Sequence, residues 1–169
     1  VGTTTPKFGL PYPVLGDSPN GPAAIGALAL AVDATGVLGG KRRTTASSAI
    51  NTIESIVVDT QTLSLLANSV YLIEYNLTFA ASVAASDGLM RVRLTSVSGT
   101  VLGSAIALGV YATQNNSGYM AILYKTTAAE LDYFCGTLIR QVGTGNLTAQ
   151  VPTSLVVSYV GPNTLIGDF

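Results

Sequence analysis

Histidine and tryptophan are absent from this chain, and Cys135 is its only cysteine. Without histidine there is no His-based catalytic triad and no imidazole metal ligand. One thiol excludes an intrachain disulfide and a cysteine zinc site. Charge is scarce as well. The 8 Lys+Arg and 9 Asp+Glu give a formal net charge of −1, and charged residues are 10% of the 169, against about 25% in ordinary soluble domains. Near-zero net charge argues against nucleic acid as the main partner. So few charges also leave a lone monomer poorly protected against association. Long hydrophobic runs are missing. The most apolar stretch, Ala23 to Val32, is interrupted by Asp33 and reaches only half of the ~20 residues a membrane span needs. It lacks a basic n-region and follows Pro6, Pro11, Pro13, Pro19 and Pro22, so it does not read as a secretory signal. The expectation is synthesis in a cytoplasm, with no membrane partner and no cofactor.

What remains is 48% hydrophobic, with a mean hydropathy of +0.47, enough for one domain and an arm. Residues 1–22 hold five of the seven prolines and read as an extended arm rather than a sheet strand. Phe8, Leu10, Tyr12, Val14 and Leu15 make that arm sticky, as a segment lying on another surface would be. Asp17, Ser18 or Asn20 can cap a helix that starts at Pro22. Ala23 to Ala34 follows as a short helix with Ile25, Leu28 and Val32 on one face, and Gly36, Gly39 and Gly40 end it.

From Lys41 onward the period is two. Tyr71, Ile73, Tyr75, Leu77 and Phe79 alternate with Glu74, Asn76 and Thr78, a half-buried strand. Met90, Val92 and Leu94 alternate with Arg91 and Arg93, and Leu155, Val157 and Tyr159 with Ser154 and Ser158. Further strands are expected at Thr44–Ala49, Ser55–Thr60, Leu63–Leu65, Val101–Ala112, Tyr119–Thr127 and Tyr133–Val142. Turn signals separate them at Ala67-Asn68-Ser69, Ser86-Asp87-Gly88, Ser98-Gly99, Asn115 to Gly118 and Gly143 to Asn146. This spacing predicts an all-β chain: an antiparallel β-sandwich, jelly-roll-like, over residues 41–169, preceded by an N-terminal arm and one short α-helix in residues 1–40.

Several constellations could carry chemistry. Glu130 and Asp132 share a face if extended and could serve as the carboxylate pair of a glycosidase; solvated acids flanking a turn are the stronger reading. Lys41, Arg42 and Arg43 could hold phosphate or an acidic patch on a protein neighbour. Arg91 and Arg93 are expected beside Glu74 across the sheet, a structural pair. Cys135 reads as a buried, inert thiol with no base to activate it. Asp59, Asp87 and Asp132 lack the spacing of a calcium loop. Tyr71 and Tyr75 read as core or subunit interface rather than as a sugar platform.

The opening adds something that composition cannot. Thr5-Pro6-Lys7-Phe8-Gly9-Leu10-Pro11-Tyr12-Pro13, then Asp17, then Pro19-Asn20-Gly21-Pro22, then Ala27 to Asp33, resembles a recurring opening in virion proteins of tailed bacteriophages, most of all phages of actinobacteria. The strand-rich remainder, ending in Val157 to Pro162, more loosely resembles the β-sandwich that follows in those proteins. The resemblance spans about Thr4 to Pro162. It implies a non-enzymatic virion structural protein, as a capsid decoration protein or as a minor tail or fibre protein. With neither heptads nor a repeat for a shaft, the chain fits the decoration role better. The expected partner is the major capsid protein or another virion protein, on the outer virion surface, with the chain itself a trimer by analogy. Phe8, Leu10, Tyr12 and Val14 are the expected shell or subunit contacts, with Lys41, Arg42 and Arg43 secondary; packing within their own chain is the alternative for each. A carbohydrate-binding module and a polysaccharide-degrading enzyme using Glu130 and Asp132 are the rival readings.

Overall fold

The computed structural model describes residues 36–165, together with the backbone of Thr3–Thr4 and Pro11–Tyr12. Those two short segments, β1 (Thr3–Thr4) and β2 (Pro11–Tyr12), pair antiparallel, with Thr3 opposite Tyr12 and Thr4 opposite Pro11. The arm reads as lacking sheet structure, yet these two segments pair as strands. Proline fits because one edge of a two-stranded ribbon needs no ladder donor. Phe8, Leu10 and Val14, the side chain of Tyr12, and the helix expected at Ala23–Ala34 lie outside the described residues.

The remaining strands are β3 (Gly36–Arg42), β4 (Ser55–Asp59), β5 (Leu63–Leu65), β6 (Ser69–Ala81), β7 (Gly88–Leu94), β8 (Val101–Ala107), β9 (Asn115–Lys125), β10 (Glu130–Asp132), β11 (Phe134–Arg140), β12 (Leu147–Ala149) and β13 (Ser154–Pro162). One sheet, I, runs β3–β13–β6–β9, with β12 continuing the β13 edge of β6 over Phe79 to Ala81. The other, II, runs β4–β11–β7–β8. All these pairs are antiparallel. Counting only the strands of the two sheets in chain order, with β12 part of the last, the orders are 1-8-3-6 and 2-7-4-5. That is the two-Greek-key connectivity of a jelly roll. The short strands β5 and β10 pair separately, and a 3₁₀ turn at Asn163–Leu165 follows β13.

The core lies between the sheets and follows from the alternation. Tyr71, Ile73, Tyr75, Leu77 and Phe79 of β6 are at most 1% exposed, and each such side chain stabilises the fold by roughly 1.5–3 kcal/mol on burial. Met90 and Val92, Phe134 and Leu138, and Leu155 and Val157 meet them from β7, β11 and β13. The buried hydroxyls find partners: Tyr75 donates to the Thr137 carbonyl at 3.2 Å, and the Tyr71 oxygen accepts from the Leu66 N–H at 2.6 Å.

Several expected elements differ. Gly36, Gly39 and Gly40 lie in β3; the helix they are expected to end lies outside the described residues. A Cβ on Gly39 would come 2.5 Å from Leu63 Cδ2, so glycine here serves close packing. Thr44–Ala49 forms no strand; its Ser and Thr side chains offer nothing to bury, and isolated bonds such as Ser47 N–H to the Ala149 carbonyl hold it. β8 ends at Ala107 rather than Ala112. The Asn115–Gly118 turn signal opens β9 instead, because the Asn116 side chain is spent on the preceding loop: its oxygen accepts from the Tyr111 N–H at 3.1 Å and its amide donates to the Tyr111 carbonyl at 3.0 Å.

Candidate functional site

The basic run sits on and just beyond β3, the edge strand of sheet I, and its members part company. Lys41 pairs with Asp59 of β4 at 2.7 Å, both well exposed, an ion pair of small energetic worth. Arg43 is spent on the backbone, donating to the carbonyls of Thr45 and Val57. Arg42 is exposed on the outer face and engages no protein partner among the described residues. The three do not converge on one anion.

Arg91 and Arg93 meet a different carboxylate from the one expected. Glu74 lies on the other sheet, where it accepts from the Tyr119 hydroxyl at 2.8 Å. The partner is Glu54, in the turn before β4. Arg91 Nη1 donates to Oε2 at 2.7 Å, and Arg93 donates through Nε at 2.7 Å and Nη2 at 2.8 Å. The Thr137 hydroxyl donates to Oε1 at 2.5 Å. Burial alone would raise the Glu54 carboxyl; bonds from Arg93, Thr137 and Arg91 outweigh it and hold the group at about 2. This cluster ties the β4 entry across β11 and β7, and its valences are filled within the protein.

Glu130 and Asp132 form β10 rather than flanking a turn. The Tyr124 hydroxyl donates to Glu130 at 2.9 Å. Burial, reinforced by the charge of Glu130 and a hydrogen bond to it, raises the Asp132 carboxyl. Cys135 is buried, and desolvation followed by the charge of Asp59 pushes its thiol up to about 11, which leaves no thiolate at neutral pH. Asp59 is paired with Lys41, and Asp87 accepts from the Gly109 N–H at 2.9 Å. Among the described residues, no group of three or more Cys, Asp or Glu side chains comes together as a metal site. No helix there is long and apolar enough to cross a membrane.

The distinctive surface is one the motif reading missed. At the end of β8 and in the loop after it, Ile106, Leu108, Val110 and Tyr111 are each 58–59% exposed. With Asn115 and Ser117 of β9 they line a shallow groove of about 410 Å³. Edge strands are normally guarded by charge; β3 carries Lys41 and Arg42, whereas β8 carries none. The sequence signal is a run of 31 uncharged residues from Leu94 to Tyr124.

No family model matches the chain, and no curated protein does. Solved structures similar to it include viral capsid and carbohydrate-binding β-sandwich domains. The infectious bursal disease virus VP2 subviral particle is 15% identical, with a TM-score of 0.49, over 73% of this chain and 32% of that one. The C-terminal CBM6 of the laminarinase LamC from Zobellia galactanivorans is 13% identical, with a TM-score of 0.37, over 70% of this chain and 87% of that one. Eiger TNF from S. frugiperda is 10% identical, with a TM-score of 0.40, over 76% and 93%. The chain thus spans about a third of the length of the VP2 chain.

Proposed function

We propose that this is a non-enzymatic structural protein of a phage virion, a capsid decoration protein that acts as a trimer on the outer surface of the shell. The apolar crest of Ile106, Leu108, Val110 and Tyr111 carries this reading. An uncharged apolar edge on a chain so poor in charge is a surface built to be covered by protein. The Phe8–Leu10–Tyr12 opening, which resembles that of tailed-phage virion proteins, supports the virion setting. In this reading the arm docks on the major capsid protein, the crest packs between copies, and the jelly roll projects outward. The mechanism is mechanical: burial of apolar area bridges subunits that the shell already holds in register, so part of the entropic cost of association is met beforehand.

Co-sedimentation of the purified protein with particles lacking it tests the proposal. Saturable binding is expected, lost when Phe8, Leu10 and Tyr12 are replaced by serine in the full chain. Failure of the unaltered chain to sediment with the particles contradicts it.

A further inference from the structure

The outer face of sheet I carries a second surface, which meets the crest groove at Ser117. Strand register sets Arg42, Ser154, Asn76 and Tyr119 side by side on β3, β13, β6 and β9. Ser154, Asn76 and Tyr119 face outward, since Leu155, Tyr75, Leu77 and Met120 beside them in the chain are buried in the core, and Arg42, opposite Ser154 in the register, faces the same way. At ~4.8 Å between strands the row is about 14 Å long. It lines a shallow groove of about 500 Å³. Arg42 and Asn76 are exposed, and their side chains have no protein partner among the described residues. Tyr119, 57% exposed, is steadied by its bond to Glu74.

The chemistry of the row narrows its ligand. Arg42 only donates, and Asn76 and Ser154 both donate and accept. The Tyr119 ring adds an apolar platform with a polar rim. A matching ligand presents closely spaced groups that both donate and accept, together with an apolar face. Sugar rings do this, through their hydroxyls and their C–H faces. A phosphate or carboxylate would satisfy Arg42 but has no proton to give the acceptors of Asn76 and Ser154. An apolar peptide would strip water from Arg42 and Asn76 and return no hydrogen bonds.

We propose that the Arg42–Ser154–Asn76–Tyr119 row is a binding groove for a neutral oligosaccharide. The proposal does not depend on the virion reading. Calorimetric titration of the full chain with maltohexaose, cellohexaose, xylohexaose and mannohexaose tests it. Saturable one-site binding is expected for at least one of them. Tyr119→Ala and Arg42→Ala should each weaken it about tenfold without lowering the melting temperature, and Ile106→Lys at the crest should leave it unchanged. Three results would overturn the proposal: no saturable binding of any probe at millimolar concentration, binding that survives Tyr119→Ala, or tighter binding of hexagalacturonate than of every neutral probe.

Discussion

Glu54 has the most to lose of any side chain at the residue scale. Two arginines and a threonine converge on it, and its carboxyl sits at about 2 instead of 4.5. A carboxyl depressed by folding contributes stability that is fully present above its unfolded value and lost as pH falls through the folded one. The window therefore runs from about 4.5 down to about 2, and the contribution above it is roughly 3 kcal/mol. Asp132, raised by burial and Glu130, works in the opposite direction: its protonation on acidification relieves a cost. Glu54→Gln should lower the urea midpoint at pH 7, because Arg91 and Arg93 lose their partner. The gap between variant and parent should narrow by most of its size at pH 2.5. A gap that stays constant from pH 7 to pH 2.5 would mean that Glu54 does not titrate as described.

Gly136 limits how closely two strands can approach at the scale of elements. It lies in the middle of β11, and a Cβ there would come 2.9 Å from both Tyr75 Cε2 and Val58 Cγ1. Gly136→Ala should cost about 1–3 kcal/mol through overpacking and lower the melting temperature by several degrees; an unchanged melting temperature would show that Tyr75 yields freely. The same strands show what the sequence made legible. β6 was readable because its inward residues are all apolar and its outward ones largely polar, and β7 and β13 for similar reasons. β12 was not, since three residues after a glycine-rich turn carry too little period to register. β3 was hidden by its glycines, which look like a helix stop, although Gly39 lets Leu63 pack closely against the strand. The Glu54 partnership was illegible because it depends on which sheet each strand joins. Arg91 and Glu74 have the right alternation, yet they lie on different sheets.

At the scale of the whole molecule, the crest at the end of β8 and in the loop after it is the proposed contact between copies. Ile106→Lys combined with Leu108→Lys should leave folding within about 0.5 kcal/mol, as for other exposed positions, while dissociating the assembly. Light scattering on the parent should give about 52 kDa, three times the 17.3 kDa of one chain. The double variant should give the mass of a monomer, and a monomeric parent would remove the preformed trimer from the account. The most direct measurement is gold labelling of intact particles with an antibody raised against the folded chain, viewed by electron microscopy. A decoration protein gives many labels distributed over the head. Labels confined to the tail, or none on the particle, would contradict that role.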